Sequence, residues 1–394
     1  MKHCTNCVMP NTKPDLHFDS AGVCDACRSA ERKDNQVNWD ERRKLFEKTI
    51  APFKGNKHGY DCVIPVSGGK DSTYQVIMAL EYGLKPLCVS FEPTVPTELG
   101  KQNLANINKL GVDLIQFRKN PEVYREMCRI GFLRVGDNEW PNHVGIFTVP
   151  IRAAINYKIP LIIWGENPQL EYGGPPKSTE SNILDRRWLE EFGGLLGYRV
   201  SDMEAEGIDR RDLTPYIYPE ESELKEAGIT SIFLGYYFKW DARAQLKRVM
   251  EAGFKCKEDG PVEGTFTNYE NLDCALPGVH DYLKFVKFGF GRATDHACLD
   301  VRNHRITRDQ AVDLVREYDG RYPYISMKDC IDYLGITKAE FDKIVDSFTN
   351  KKIFELDENR NFKRDPAGNL ILKYPVKKAS ELIGFEAEQS VPAR

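Results

Sequence analysis

Between positions 60 and 240, apolar residues recur in two alternating patterns. Short, mostly apolar runs predict buried strands: DCVIPVS (61–67), PLCVSFEP (86–93), DLIQFR (113–118), PLIIWGE (160–166) and SIFLGYYF (231–238). Between them, helix-length amphipathic stretches predict helices over 71–82, 98–110, 121–132 and 144–157, with a further one from Asp241. In the first of these, Val76, Ile77 and Leu80 share one face. Strand and helix in alternation predict the α/β class: a doubly wound parallel sheet, covered on both faces, with right-handed crossovers.

The rhythm is absent at the ends and broken in the middle. Residues 1–30 form a small unit with little apolar content, followed by a polar linker (31–59) in which Trp39 to Ile50 reads as a helix. The sheet domain runs from 60 to 279 and carries an insertion at about 167–228, rich in Gly, Pro and acidic residues. An insertion after a strand's carboxyl end lies near the ligand crevice of such a fold. Its acidic part reads as a solvated face or a partner surface. From 280 to 394 the chain reads as mostly helical. Two short helices around Gly335-Ile336-Thr337 have helix-turn-helix spacing, but Asp329, Asp332, Glu340, Asp342 and Asp346 are badly placed to meet phosphates.

Composition adds constraints. The chain has 394 residues, 41% hydrophobic and 29% charged, an ordinary soluble balance with ample length for a sizeable core. No apolar run reaches the roughly 18 residues of a membrane span. The opening MKHCTNCVMP lacks the apolar region of a secretory signal, so a cytoplasmic location is expected. A net charge of -4 weighs against an extended nucleic-acid partner.

The stretch VIPVSGGKDST carries the clearest chemistry. Two glycines at a strand's carboxyl end let the backbone turn tightly and approach a ligand. The next helix's free N–H groups and dipole favour an anion, Ser67, Ser72 and Thr73 add hydroxyls, and Lys70 adds a cation. The result is a phosphate cradle. It departs from the GxxxxGK[ST] loop, because Asp71 follows Lys70 where Ser or Thr would stand. Ser67, Gly68, Gly69, Lys70, Asp71 and Ser72 instead resemble the SGGxDS signature of the PP-loop ATP pyrophosphatases. That resemblance implies ATP cleaved between its α and β phosphates. Asp71 is a candidate Mg2+ ligand or a plain helix cap.

Cys4, Cys7, Cys24 and Cys27 give CxxC-x16-CxxC, a spacing suited to a closed, structural zinc site. A disulfide pair or an iron–sulfur cluster would use the same residues. The other seven cysteines (Cys62, Cys88, Cys128, Cys256, Cys274, Cys298 and Cys330) are expected as free thiols, several of them buried.

Taken together, CTNCVMP...GVCDAC, VSGGKDS, WGENPQLEYGG and FGFGRATDHACLDVR resemble the N-acetyl sugar amidotransferases of bacterial surface-glycan (O-antigen and flagellin-sugar) synthesis. The resemblance implies that ATP adenylates an acetamido group of an acidic N-acetyl sugar and that ammonia converts it to an acetamidino group. It also implies a separate glutaminase similar to that of histidine biosynthesis, often with a cyclase-like companion. No GxCxG-type nucleophile elbow with a downstream His-x-Glu is evident in this chain, consistent with an outside ammonia source.

On that reading, Lys70, Asp71, Glu166, Arg292, Asp295 and His296 are the candidate catalytic residues. Arg292 would pair with a carboxylate or phosphate, and His296 would move a proton. Ser90 and Phe91 end the second strand, where the family seats adenine, and Gly165 and Asn167 flank Glu166 at the fourth. Tyr172, Gly173 and Gly174, and Lys239, Trp240 and Asp241, would border the same mouth. Two other readings use the same loop: a tRNA-thiolating enzyme, and a nucleotide-binding zinc adaptor without catalysis.

Overall fold

The computed structural model describes residues 1–166 and 195–381. Five strands, β1 (Cys62–Pro65), β2 (Pro86–Phe91), β3 (Asp113–Phe117), β4 (Leu161–Trp164) and β5 (Thr230–Phe233), form one sheet in the order β3-β2-β1-β4-β5. Every pairing is parallel. This is the doubly wound α/β architecture that the sequence pattern predicts.

Side-chain alternation divides the core between the two sheet faces. Val63, Leu87, Val89, Phe91 and Ile162 face one buried cluster. Cys62, Ile64, Cys88, Leu161 and Ile163 face the other. The first is covered by helices α5 (Pro121–Val135) and α6 (Trp140–Asn156). The second is covered by α2 (Trp39–Ile50), α3 (Lys70–Glu81) and α4 (Glu98–Lys109). α1 (Asp25–Asn35) belongs to the N-terminal unit. The observed bounds of α2 coincide with the sequence reading because Asn38 caps it, its side chain accepting the N–H groups of Asp40 and Glu41. α6 starts four residues earlier than its pattern suggests, at Trp140, which is fully buried and donates its indole N–H to the Leu195 carbonyl at 3.0 Å.

The described part of the insertion holds three short helices, α7 (Val200–Ala205), α8 (Arg210–Leu213) and α9 (Glu221–Glu226). After β5 come α10 (Ala242–Glu251) and an irregular stretch, then five helices: α11 (Pro277–Phe288), α12 (Arg292–Arg302), α13 (Arg308–Tyr318), α14 (Tyr324–Leu334) and α15 (Lys338–Phe348). α14 and α15 bury Cys330, Leu334, Phe341 and Val345 in the main core, so their shared apolar side is already occupied. The mostly helical end is observed through Phe348. Beyond 349 the chain forms antiparallel bridges, Phe354 with Leu372, Leu356 with Phe362 and Arg364 with Leu370.

The N-terminal unit does not stand apart. Val8, Met9, Leu16 and Ala26 share a buried cluster with Phe290, Ala297, Val301 and Val312 from the C-terminal helices. A unit of 30 residues has too little apolar surface to hold itself together, and it borrows the faces of α12 and α13. Among the described residues, no helix is long and apolar enough to cross a membrane.

Phe46 shows how α2 is fixed. It is fully buried, with ring centroids 5.0 Å from Tyr82 and 5.2 Å from both Tyr237 and Phe238. Truncation to alanine removes a buried ring and leaves a cavity, so Phe46→Ala is expected to cost about 3–5 kcal/mol. Urea unfolding monitored by circular dichroism measures it.

Candidate functional site

Strand order places the site. The chain passes from β1 outward to β2 and β3, then returns to the other side of β1 for β4 and β5. The order therefore reverses between β1 and β4, and a crevice opens there beyond the carboxyl ends of these two strands. The loops that flank it are Val66–Gly69 after β1 and Gly165-Glu166 after β4.

The first loop is built for close approach. Val66 donates its N–H to the Val89 carbonyl at 2.9 Å, so the turn begins flush with the sheet. Gly68 has φ of 87°, and a Cβ there would lie 2.7 Å from the Leu104 backbone nitrogen. No other residue fits without shifting α4. The Ser67 N–H donates to Ser72 Oγ at 3.4 Å, and the Gly69 N–H to Ser67 Oγ at 3.3 Å. Ser72 and Thr73 donate their hydroxyls to the Gly69 carbonyl at 3.1 and 2.9 Å. Gly69 is the N-cap of α3 and has no side chain with which to cap it. The positive end of the helix is left open to an anion.

Two cavities meet at this loop. The first, about 260 Å³, is lined by Ser67, Ser72 and Gly165 on one side and by Phe91, Phe147 and Trp164 on the other. The second, about 170 Å³, is polar and is lined by Lys70, Glu270, Arg292, His296, Asp300 and Arg305. Asp71 and Glu166 line both.

The electrostatics of the shared wall follow from burial. Lys70 is only 2% exposed, and its ammonium lies 2.6 Å from Asp71 Oδ1 and 3.4 Å from Glu270 Oε1. Burial works against the charge, but the facing carboxylates of Asp71 and Glu270 outweigh it and hold the pKa above the ordinary lysine value. Glu166 pays for the crowding: burial, reinforced by repulsion from Asp71, pushes its carboxyl up to about 8. Burial also raises Glu270, with Lys70 opposing. At neutral pH Glu166 is mostly protonated, ready to lose its proton when a cation or a donor arrives.

Arg292 and His296 lie one turn apart on α12 and reach the second cavity. Arg292 is held by a two-pronged ion pair to Asp281, at 3.0 and 2.9 Å. His296 Nδ1 lies 2.7 Å from Thr265 Oγ1, and burial together with the Arg292 charge lowers its pKa to about 3. It is neutral at physiological pH and serves this cavity as a neutral hydrogen-bonding group. Asp295 does not reach the cavity. Its carboxylate turns toward α11 and pairs with Lys284.

Of the remaining candidates, Phe91 lines the first cavity, while Ser90 is fully buried with an unpartnered hydroxyl oxygen. Trp240 lines the second cavity; Asp241 caps α10 and pairs with Arg305, and Lys239 pairs with Asp34 at 2.6 Å. Asn167, Tyr172, Gly173 and Gly174 lie outside the described residues. Sequence reasoning missed Glu270, Asp300 and Arg305. Glu270 lies in an irregular stretch with no motif, and only the charge on Lys70 explains its place.

The four N-terminal cysteines are buried and converge. Cys4 and Cys27 sulfurs are 4.0 Å apart, those of Cys7 and Cys24 3.8 Å. A tetrahedral zinc with bonds of about 2.3 Å has edges of about 3.8 Å, so the donor set fits that ion. The N–H groups of Cys7 and Cys24 point to Cys4 Sγ at 3.5 and 3.2 Å, the arrangement that supports a thiolate. Arg302 of α12 sits beneath, 3.9 Å from Cys7 Sγ and 4.0 Å from Cys24 Sγ, and would offset the negative charge of a four-thiolate centre. The seven scattered cysteines are free, and all but Cys256 are buried.

Comparison with known proteins finds likeness over part of the chain. Residues 263–365 match the family model described as LPS biosynthesis protein WbpG-like, C-terminal domain. The match covers α11–α15, and with them Arg292 and His296. An uncharacterized protein of Methanocaldococcus jannaschii, MJ1599, is 26% identical over 108 residues, which is 27% of this chain and 38% of that protein. The chain thus spans well under half the length of that relative. The structure of NMN synthetase from Francisella tularensis aligns over 55% of this chain and 96% of that one, at 13% identity and a TM-score of 0.28.

The raised pKa of Glu166 gives a pH signature. Its proton affinity in the folded state exceeds that of the unfolded chain, so its contribution to stability falls as pH rises from the ordinary value of 4.5 to about 8. Glu166→Gln removes this dependence. Urea midpoints of ligand-free protein at about pH 5 and about pH 8 should fall less in the variant than in the native chain. Equal falls would place the Glu166 proton elsewhere.

Proposed function

We propose that the protein is an ATP-dependent, AMP-forming amidotransferase of surface-glycan synthesis that acts on an acidic N-acetyl sugar. One observation carries the reading: the cavity at the glycine loop and a polar cavity lined by Lys70, Arg292 and Arg305 together with Glu270 and Asp300 share the wall formed by Asp71 and Glu166. The WbpG-like match over 263–365 supports the glycan context, because that region supplies Arg292 and His296 to the polar cavity.

In this reading ATP occupies the first cavity, its base toward Phe91 and its phosphates on the loop Ser67–Ser72. The sugar occupies the second, its acidic group facing Arg292 or Arg305. The acetamido oxygen attacks the α phosphorus, the bond to pyrophosphate breaks, and an O-adenylated imidate forms. Ammonia then adds to the activated carbon. AMP leaves with the former amide oxygen, and loss of protons gives the acetamidino group. An amide oxygen is a poor leaving group, and adenylation turns it into a good one.

The chain's residues act mainly by position and charge. Lys70, fixed by Asp71 and Glu270, places a positive charge beside the phosphates. Glu166 stands where either proton loss from ammonia or charge on the nucleotide can be met. Three carboxylates around one ammonium leave room for further positive charge, so Asp71 and Glu166 are the side chains that would hold Mg2+, which would neutralise the leaving pyrophosphate. The Cys4, Cys7, Cys24 and Cys27 group would hold a structural zinc.

Ammonia would come from a separate glutaminase, with or without a cyclase-like companion. In support, no cysteine lines either cavity, and Cys256 is the one thiol not buried. The same absence from the two cavities counts against tRNA thiolation, which uses catalytic thiols at the nucleotide site.

The test is a product assay with ATP, Mg2+, high ammonium and a panel of acidic acetamido sugars and sugar nucleotides. The expected result is AMP release together with a sugar about 1 Da lighter, as oxygen becomes NH. Lys70→Met should lower AMP formation by about 10²–10³-fold. AMP absent with every sugar would favour a non-catalytic nucleotide-binding role.

A further inference from the structure

A second cluster of metal-binding side chains lies away from the cysteines. Asp137 sits in the turn between α5 and α6, His143 on the first turns of α6, and His280 on α11. One donor atom from each lies within 4.8 Å of the other two. His280 Nδ1 is 2.9 Å from Asp137 Oδ1, and His143 Nδ1 is 3.4 Å from Asp137 Oδ2. The imidazole centroids are 5.1 Å apart, with planes at 77°.

We propose that Asp137, His143 and His280 form a binding site for a divalent first-row transition ion of the zinc type. Donors bonded to one such ion at about 2.1 Å stand about 3.0 Å apart at octahedral edges and about 3.4 Å apart at tetrahedral ones. The two measured separations run to different oxygens of Asp137 and are those of a hydrogen bond and an ion pair, close enough for all three side chains to turn onto one ion. Two borderline imidazoles beside one hard carboxylate suit zinc or iron rather than calcium or magnesium.

The surroundings are those of a built site. The Asp137 side chain is 4% exposed. Its orientation is fixed by the Glu139 N–H, which donates to Oδ1 at 2.9 Å, while its own N–H donates to the Gly131 carbonyl at 3.2 Å. The next residue, Asn138, is fully buried with an unpartnered side-chain oxygen. The imidazoles are 22% and 25% exposed, so an ion can enter from solvent. Three protein donors leave a position open, unlike the closed set of four thiolates.

Location gives the site a use. Asn142 and Ile146, beside His143 on α6, line the first cavity. α11, which carries His280, leads directly into α12 and the second cavity. An ion held by these three residues clamps the helix behind one cavity to the helical region that builds the other. The site stands independently of the proposed reaction.

Equilibrium dialysis of the full chain against micromolar Zn2+, followed by elemental analysis, tests it. Two zinc equivalents per chain are expected, one of them removed by His280→Ala. Should His280→Ala fail to fold, His143→Gln takes its place. Cobalt loaded into the native chain should give thiolate charge-transfer absorption for one equivalent and none for the second, and His280→Ala should remove only the second. One equivalent in the native chain, or two that survive both histidine substitutions, would overturn the proposal.

Discussion

A lysine that is 2% exposed stays charged only if carboxylates come to it, and this requirement organises the site. Lys70 draws Asp71 from its own helix, Glu270 from the stretch before α11 and the field of Glu166 from the loop after β4. Three distant parts of the chain are thereby brought to one point at the place where the strand order reverses. Removing Asp71 or Glu270 would leave the buried Lys70 charge underpaired, so α3 and the stretch before α11 are held in one arrangement. The same crowding holds Glu166 protonated at neutral pH, which makes the shared wall responsive to an incoming cation.

The C-terminal helices work in two directions. One side of α12 gives Arg292 and His296 to the polar cavity; the end of the same helix gives Arg302 to the cysteine group. Arg308, at the start of α13, donates to the carbonyls of Cys4 and Cys7 at 3.3 and 3.1 Å. The cysteine unit therefore braces the helix that shapes the polar cavity, although it lies away from the chemistry. This mechanical link gives a reason for a four-cysteine unit that lines neither cavity.

Much of this was legible along the chain because it is local. Short apolar runs marked all five strands, the stretch from Trp39 to Ile50 marked α2, and SGGKDS between a strand and a helix marked the cradle. The four cysteines announced themselves by spacing. What stayed hidden was tertiary. Glu270 and the Asp137, His143 and His280 group have no motif, and Arg302, although it ends the FGFGRATDHACLDVR stretch, gives no sign along the chain of the cysteines it meets 278 and 295 positions away. Asp295 was misplaced for a geometric reason: three residues after Arg292 on a helix, it sits on the flank facing Lys284 rather than on the face toward the cavity. Proton transfer by His296 was read from residue type; its Nδ1 meets Thr265 and Thr267, and burial together with the Arg292 charge lowers its pKa to about 3.

The central claim is that substrate oxygen passes to the α phosphorus across the Asp71–Glu166 wall. It is tested most directly with an acetamido sugar that supports AMP formation, labelled with a heavy oxygen isotope at the amide carbonyl. Mass spectrometry of the AMP then reports the path of that oxygen. Labelled AMP is the predicted result, because the amide oxygen must leave on the nucleotide. Unlabelled AMP, with the isotope retained in the sugar or lost to water, would contradict the account.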